Sequence, residues 1–147
     1  MNVREIADFE LDALLDLYRH LHTRDEPLPP RPHIERIWHD IRRNPDLKYF
    51  GLFVQDRLAA SCTLTIIPNL TRGCRPYGVI ENVVTHADFR RRGCGRRLLQ
   101  HALDHAWTRN CYKVMLMTGR KDDATYRFYE SVGFDCNAKQ AFLATPR

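Results

Sequence analysis

The stretch Ile80-Glu81-Asn82-Val83-Val84-Thr85-His86-Ala87-Asp88-Phe89-Arg90-Arg91-Arg92-Gly93-Cys94-Gly95-Arg96-Arg97-Leu98-Leu99 decides the reading of this chain. It opens within a largely apolar strand, Val79 to Thr85, and crosses a short polar loop. It then enters an amphipathic helix marked by Leu98, Leu99, Ala102, Leu103, Ala106 and Trp107. A helix start offers unpaired backbone N–H groups and the positive end of the helix dipole, which suits an anionic group. Gly93 and Gly95 carry no Cβ, so a phosphate can approach the backbone closely. Arg90, Arg91, Arg92, Arg96 and Arg97 add charge around that point, and together these residues make a site for a diphosphate. The dinucleotide fingerprint is incomplete, because its third glycine position is Leu98, which argues against a Rossmann fold.

Downstream, Val114 to Met117 is a short apolar strand, and Asp122 to Ser131 is a helix stopped by Gly133. Lys139 to Ala144 is expected as a last strand. Strand, helix, strand in this order implies parallel pairing with a right-handed crossover. Upstream, Tyr49 to Val54 and Leu58 to Ile67 read as two strands joined by the turn Gln55-Asp56-Arg57, an antiparallel hairpin. Asp8 is expected to cap a first helix with Leu11, Leu14, Leu15, Tyr18 and Leu21 on one face. Pro27, Pro29, Pro30 and Pro32 interrupt the chain before a second helix from Ile34 to Arg43. Pro68 to Pro76 reads as a loop. The expectation is one α/β domain over residues 1–147: a mixed central sheet flanked by helices, with an N-terminal antiparallel hairpin and a central β-α-β unit.

Composition bounds the function. The 147 residues are 44% hydrophobic and 28% charged, which excludes disordered and collagen-like classes and allows one domain with its own core. Five cysteines without a CxxC spacing argue against a disulfide framework or zinc site, and favour a reducing, cytoplasmic setting. The N-terminal residues lack a signal-peptide pattern, and no apolar run reaches the roughly 18 residues that span a bilayer. No metal is expected: His101 and His105 share a helix, but no third ligand accompanies them, so both read as solvent-facing structural residues. The net charge of +5 equals the contribution of the five arginines around Gly93, so the basic excess is local. That argues for a bound small phosphate ester, not for nucleic acid, whose aromatic stacking and recognition-helix patterns are missing.

With these residues in hand, the chain resembles the GNAT superfamily of N-acetyltransferases. Arg90-x-x-Gly93-x-Gly95 is similar to the family's Arg/Gln-x-x-Gly-x-Gly/Ala signature. Asp122-Asp123-Ala124-Thr125-Tyr126-Arg127-Phe128-Tyr129-Glu130-Ser131-Val132-Gly133-Phe134 is similar to its Asn-x-x-Ala-x-x-x-Tyr-x-x-x-Gly-Phe segment. The resemblance implies acetyl-coenzyme A as co-substrate. It places Val83, Val84 and Thr85 along the pantetheine arm, and Arg90, Arg91, Arg92, Gly93, Cys94, Gly95 and Arg96 around the pyrophosphate. It adds Asp122, Tyr126 and Tyr129 to the cofactor site, and makes Tyr129 the proton donor to the departing thiolate. Asp122 and Thr125 depart from the family's Asn and Ala. Gly78-Val79-Ile80-Glu81-Asn82 looks like the Gly-His-Ile-Glu-Asp run of glucosamine-6-phosphate N-acetyltransferases, with Val79 for His and Asn82 for Asp. Homodimers are a further expectation from the resemblance.

Glu81 stands out without any family. It interrupts an apolar strand, where an ionised group is costly unless it is paired or faces a cleft. Acetyl transfer to an amine needs a neutral amine, so Glu81 is the candidate base, with a structural ion pair or strand-end position as its rival reading. A backbone N–H near Val83 or Val84 is the candidate donor to the developing oxyanion. Arg72 and Arg75 precede the strand and could hold an anionic substrate. The reading is an N-acetyltransferase acting on a small primary amine, an amino sugar or its phosphate leading, with no nucleic acid and no membrane as partner. A protein amino-terminal or lysine acetyltransferase, and a non-catalytic acyl-coenzyme A sensor, use the same residues and stay open.

Overall fold

The computed structural model describes residues 1–147. Five strands form one mixed sheet in the order β1 (Asn2–Glu5), β2 (Leu47–Val54), β3 (Arg57–Ile67), β4 (Tyr77–Thr85), β5 (Val114–Leu116). The first four pair antiparallel and β4 pairs with β5 in parallel. The hairpin turn is tighter than its sequence suggests: Gln55 and Asp56 both take positive φ, and Arg57 already pairs with Val54. Two left-handed residues match the twist of the flanking strands.

Helices cover both faces. On one side, α1 (Leu11–Tyr18) and α2 (Arg31–Arg43) close over Ile6, Leu11, Leu14 and Trp38. On the other, α4 (Cys94–Thr108) lays Leu98, Leu99, Ala102, Leu103 and Ala106 against Phe50, Leu52, Cys62, Leu64 and Ile80. Phe128, Tyr129 and Phe134, from α5 (Asp123–Glu130) and the chain just after it, pack on the same core. A one-turn α3 (Thr71–Cys74) lies in the loop before β4.

Several expectations need correction. Asp8 does not cap α1. A 3₁₀ turn, Asp8–Glu10, leads into the helix, the Glu10 carboxylate accepts the Ala7 N–H at 2.7 Å, and Asp8 pairs with Arg42. Helix α2 begins at Arg31, earlier than expected, because Pro32 falls in its first turn, where a missing N–H costs nothing. Strand β1 is too short to show an alternating pattern, and sequence reading passed over it. His101 and His105 are only partly exposed to solvent and set their rings edge-on against Phe50, at 4.8 and 5.4 Å. Lys139 to Ala144 forms no strand: the segment pairs with nothing, and Phe142 and Leu143 remain 90% and 86% exposed. β5 is only three residues long, and an extended segment without a partner has no ladder to stabilise it.

This contrast is measurable. Leu98 is fully buried, so Leu98→Ala is expected to lower unfolding free energy by about 2–5 kcal/mol in urea titrations. Phe142→Ala is expected to stay within about 0.5 kcal/mol of wild type, and a larger loss would mean that the C-terminal segment packs.

Candidate active site

The site begins with an irregularity in β4. Thr63 of β3 lies opposite Glu81, but Ser61 lies opposite Val84, so Cys62 alone faces both Asn82 and Val83. This is a β-bulge, and it re-aims the side chains beyond it. The packing requires it: Ile80 and Val83 both contact the α4 core although three residues apart, which strict strand alternation does not permit. Asn82 takes φ +52° there, a conformation that asparagine tolerates better than most residues. The Thr63 hydroxyl donates to the Glu81 carbonyl at 3.1 Å and pins the strand just before the bulge.

Parallel pairing of β4 with β5 runs from Gly78–Val114 to Ile80–Leu116 and stops. Beyond it the two strands separate, and the gap is a cleft of about 560 Å³, within the usual range for small-molecule sites. Glu81, Asn82, Val83, Val84 and Thr85 line one side of it, Met117 to Arg120 another, and Phe128 and Tyr129 close it from α5. The structure therefore brings together Glu81, Val83, Val84, Thr85, Arg90 and Tyr129 from the sequence expectations. Glu81 is exposed at the cleft, so the cost of burying a charge in a strand does not arise. It has no ion-pair partner, and neither does Arg120 across the cleft.

Tyr129 is held by rings: Phe128 at 4.9 Å and Phe134 at 6.2 Å. Burial pushes its phenol above the ordinary value, with a small opposing pull from Arg120, so the group stays protonated. Tyr129 lines the cleft.

Above the cleft, Arg91 and Gly93 take φ of +60° and +77° and turn the chain into α4. No backbone N–H from Arg91 to Arg96 finds a backbone acceptor, and Arg97 is the first to bond, to the Gly93 carbonyl at 3.1 Å. These donors form a concave cradle of the kind that binds phosphate oxygens. The two glycines serve different ends. A Cβ on Gly93 would meet nothing, so its role is the left-handed turn. A Cβ on Gly95 would stand 2.9 Å from the Phe128 ring, so Gly95 lets α4 and α5 touch. Cys94 turns its side chain into the core and contributes only backbone to the loop.

Other expected residues lie apart from the cleft. Gly93 and Arg96 border a second hollow, of about 540 Å³, between α4 and β1. Arg91, Arg92, Cys94, Gly95, Asp122 and Tyr126 line neither space. Asp122 acts as the N-cap of α5, accepting the Thr125 N–H at 2.8 Å, which holds its carboxyl below the usual range. Arg72 and Arg75 do not reach the cleft. Arg75 donates to the carbonyls of Asn110 and Cys111, and Arg72 lies over the Tyr112 ring. Sequence reasoning missed His20, Leu21 and His22 after α1, the Met117–Arg120 wall, and Thr125 and Phe128. Only Gly119, a glycine just past a predicted strand, gave a local hint. No group of three or more His, Cys, Asp or Glu side chains is arranged to hold a metal ion. No helix is long and apolar enough to cross a membrane.

Comparison with known proteins agrees with this geometry. The acetyltransferase (GNAT) family model matches residues 11–134. A glucosamine 6-phosphate N-acetyltransferase of Trypanosoma brucei brucei is 31% identical over 146 residues, 97% of this chain and 95% of that one. A ribosomal protein bS18 alanine N-acetyltransferase of Salmonella typhimurium is 33% identical over 85 residues, 57% of this chain and 52% of that one. A solved structure from Agrobacterium tumefaciens str. C58, assigned provisionally as an acetyltransferase, superposes with a TM-score of 0.92 at 40% identity, covering 99% of this chain and 100% of that one. The separated strands, the amide-lined loop at the start of α4 and the family match over most of the chain lead to one conclusion: this protein belongs to the GNAT family of N-acetyltransferases.

Proposed function

We propose that residues 1–147 form one N-acetyltransferase domain that moves an acetyl group from acetyl-coenzyme A to a small primary amine, an amino sugar or its phosphate. The observation that carries this reading is the placement of Glu81 and Tyr129 in one cleft, at the point where β4 and β5 part. The amide cradle from Arg91 to Arg96 fits a pyrophosphate, and the free edge of β4 from Val83 to Thr85 fits an extended amide-bearing arm. Acetyl-coenzyme A, when bound, supplies the activated acyl carbon as a thioester.

Each residue then has a defined task. Glu81 takes the proton of the acceptor's ammonium or of a water between them, leaving a neutral nucleophilic amine. The backbone N–H groups at the bulge, around Val83 and Val84, face the charge that develops on the carbonyl oxygen. Tyr129 gives its proton to the departing sulfur, a role that suits a phenol kept protonated by burial. Around the acceptor, Glu81 is the only acidic group lining the cleft, while Arg120, His20 and His22 offer positive or donor groups. That pattern suits an amine that also bears an anion, and the relative named glucosamine 6-phosphate N-acetyltransferase supports an amino-sugar phosphate. Five unpaired cysteines accord with a reducing, cytoplasmic setting.

Release of free thiol from acetyl-coenzyme A with a panel of amines tests the substrate class. Glucosamine 6-phosphate is expected to be turned over, and activity confined to peptide amino termini or lysines would overturn the small-molecule reading. Cofactor binding without thiol release on any amine would replace the enzyme with a sensor.

Two variants separate the roles. Tyr129→Phe is expected to lower kcat by about 10²-fold or more with little change in the KM for acetyl-coenzyme A. The wild-type alkaline limb assigned to this group should fall only above its ordinary value of 10.0, because burial raises it. Glu81→Gln is expected to lower kcat by about 10²-fold near pH 7, with the deficit shrinking as pH rises and the acceptor loses its proton unaided. A deficit that does not change with pH would remove Glu81 from the base role.

A further inference from the structure

Strand β3 buries two polar side chains, Ser61 and Thr63, at 0% and 5% exposure, and no other polar residue of the chain is buried so fully. They stand two apart, so both lie on one face of the strand. Across the ladder they straddle the irregularity in β4, Thr63 opposite Glu81 and Ser61 opposite Val84. The Thr63 hydroxyl donates to the Glu81 carbonyl on one side of the bulge. On the other side the Ser61 hydroxyl finds no protein partner. A second hydroxyl is orphaned there. Tyr18 is the last residue of α1, it packs among the apolar side chains under that helix, and its buried Oη has no protein partner either. Burial pushes the phenol well above its ordinary value, with a small opposing pull from the Ser61 hydroxyl, so the two hydroxyls are neighbours and the phenol stays protonated.

A buried hydroxyl without a partner is costly, and native chains rarely keep one. Phenylalanine at 18 and alanine at 61 would fill the same layer without that cost. Two neighbouring hydroxyls supply two donors and several lone pairs, which suits one small polar guest. We propose that Tyr18 and Ser61 hold a water molecule beneath the β4 bulge, and that through it they act as positioning residues for acyl transfer. A buried water makes about three hydrogen bonds, and the extra residue of a bulge leaves backbone groups out of the ladder to supply the third. The water ties the end of α1 to the bulged backbone around Asn82 and Val83, as Thr63 ties it from the Glu81 side. Asn82 takes φ +52°, a conformation that persists only where its surroundings fix it. The fixed bulge sets the direction of the N–H groups around Val83 and Val84, the candidate donors to the oxyanion. Donors of that kind act on the transition state more than on binding. This rests on the acetyl-transfer reading, and adds to it what holds the oxyanion donors in place.

A crystal structure of the unliganded wild type, at a resolution that orders solvent, tests the site directly. Density for one water within hydrogen-bond distance of both Tyr18 Oη and Ser61 Oγ is expected. No water there would overturn the proposal, whatever the enzyme turns over. Steady-state kinetics test the positioning. Tyr18→Phe and Ser61→Ala each remove one hydroxyl and add nothing. Each is expected to lower kcat by about tenfold, less than the roughly 10²–10³ that loss of an oxyanion donor costs, with both KM values within about twofold of wild type. The double variant should be no slower than either single one, since one water serves both hydroxyls. An unchanged kcat, additive losses, or a loss carried by KM would overturn the positioning role. A melting temperature for each variant separates a slow enzyme from an unfolded one. A wild type that binds acetyl-coenzyme A and transfers no acetyl group to any amine would overturn the transfer reading and the positioning role with it, and the density alone would then decide the water site.

Discussion

Everything at this site depends on where β4 stops pairing with β5. Three residue pairs hold the two strands together, from Gly78–Val114 to Ile80–Leu116, and the next residue of β4 is Glu81. Past that point β4 needs a bulge to keep both Ile80 and Val83 on the α4 core. The core's demand for apolar contacts on one face thus produces, on the other side of the strand, a turned backbone and an open edge. A cleft between parallel strands is a place where main-chain donors and acceptors are exposed without being wasted, because an extended ligand can take them up.

The second constraint is electrostatic and equally local. The formal excess of +5 is matched by the arginines flanking Gly93, yet two of them turn their guanidinium groups elsewhere. Arg90 turns back to backbone carbonyls, and Arg92 lies over the Phe89 ring. What the loop leaves open to a phosphate is the run of N–H groups without backbone acceptors, around the left-handed residues Arg91 and Gly93. In the proposed site the arginines would raise the local potential that draws an anion in, and the backbone would hold it.

Sequence reading recovered the hairpin and the β-α-β unit, because each rests on a local pattern. Alternation, helical spacing and glycines at a strand-to-helix turn are all visible within about twenty residues. What it missed is set by tertiary structure. Strand β1 exists because β2 offers an edge to Asn2–Glu5, not because those residues favour extension. His20 and His22 reach the cleft because α1 ends beside β4, and nothing in Arg19 to Thr23 announces it. Arg72 and Arg75 looked available for an anion, and the structure instead uses Arg75 to satisfy the carbonyls of Asn110 and Cys111. The bulge itself was legible in principle: Ile80 and Val83 at a spacing of three, with a left-handed-tolerant Asn82 between them, is the mark of an extra residue in a strand.

A crystal structure with coenzyme A bound tests the central claim most directly. It should show the pyrophosphate on the N–H groups between Arg91 and Arg96, the pantetheine arm along Val83 to Thr85, and the thiol between β4 and β5 within hydrogen-bond reach of the Tyr129 hydroxyl. A cofactor seated instead in the hollow beside Arg97, Gln100 and His101, or a thiol remote from both Tyr129 and Glu81, would contradict the assignment of this cleft as the catalytic site.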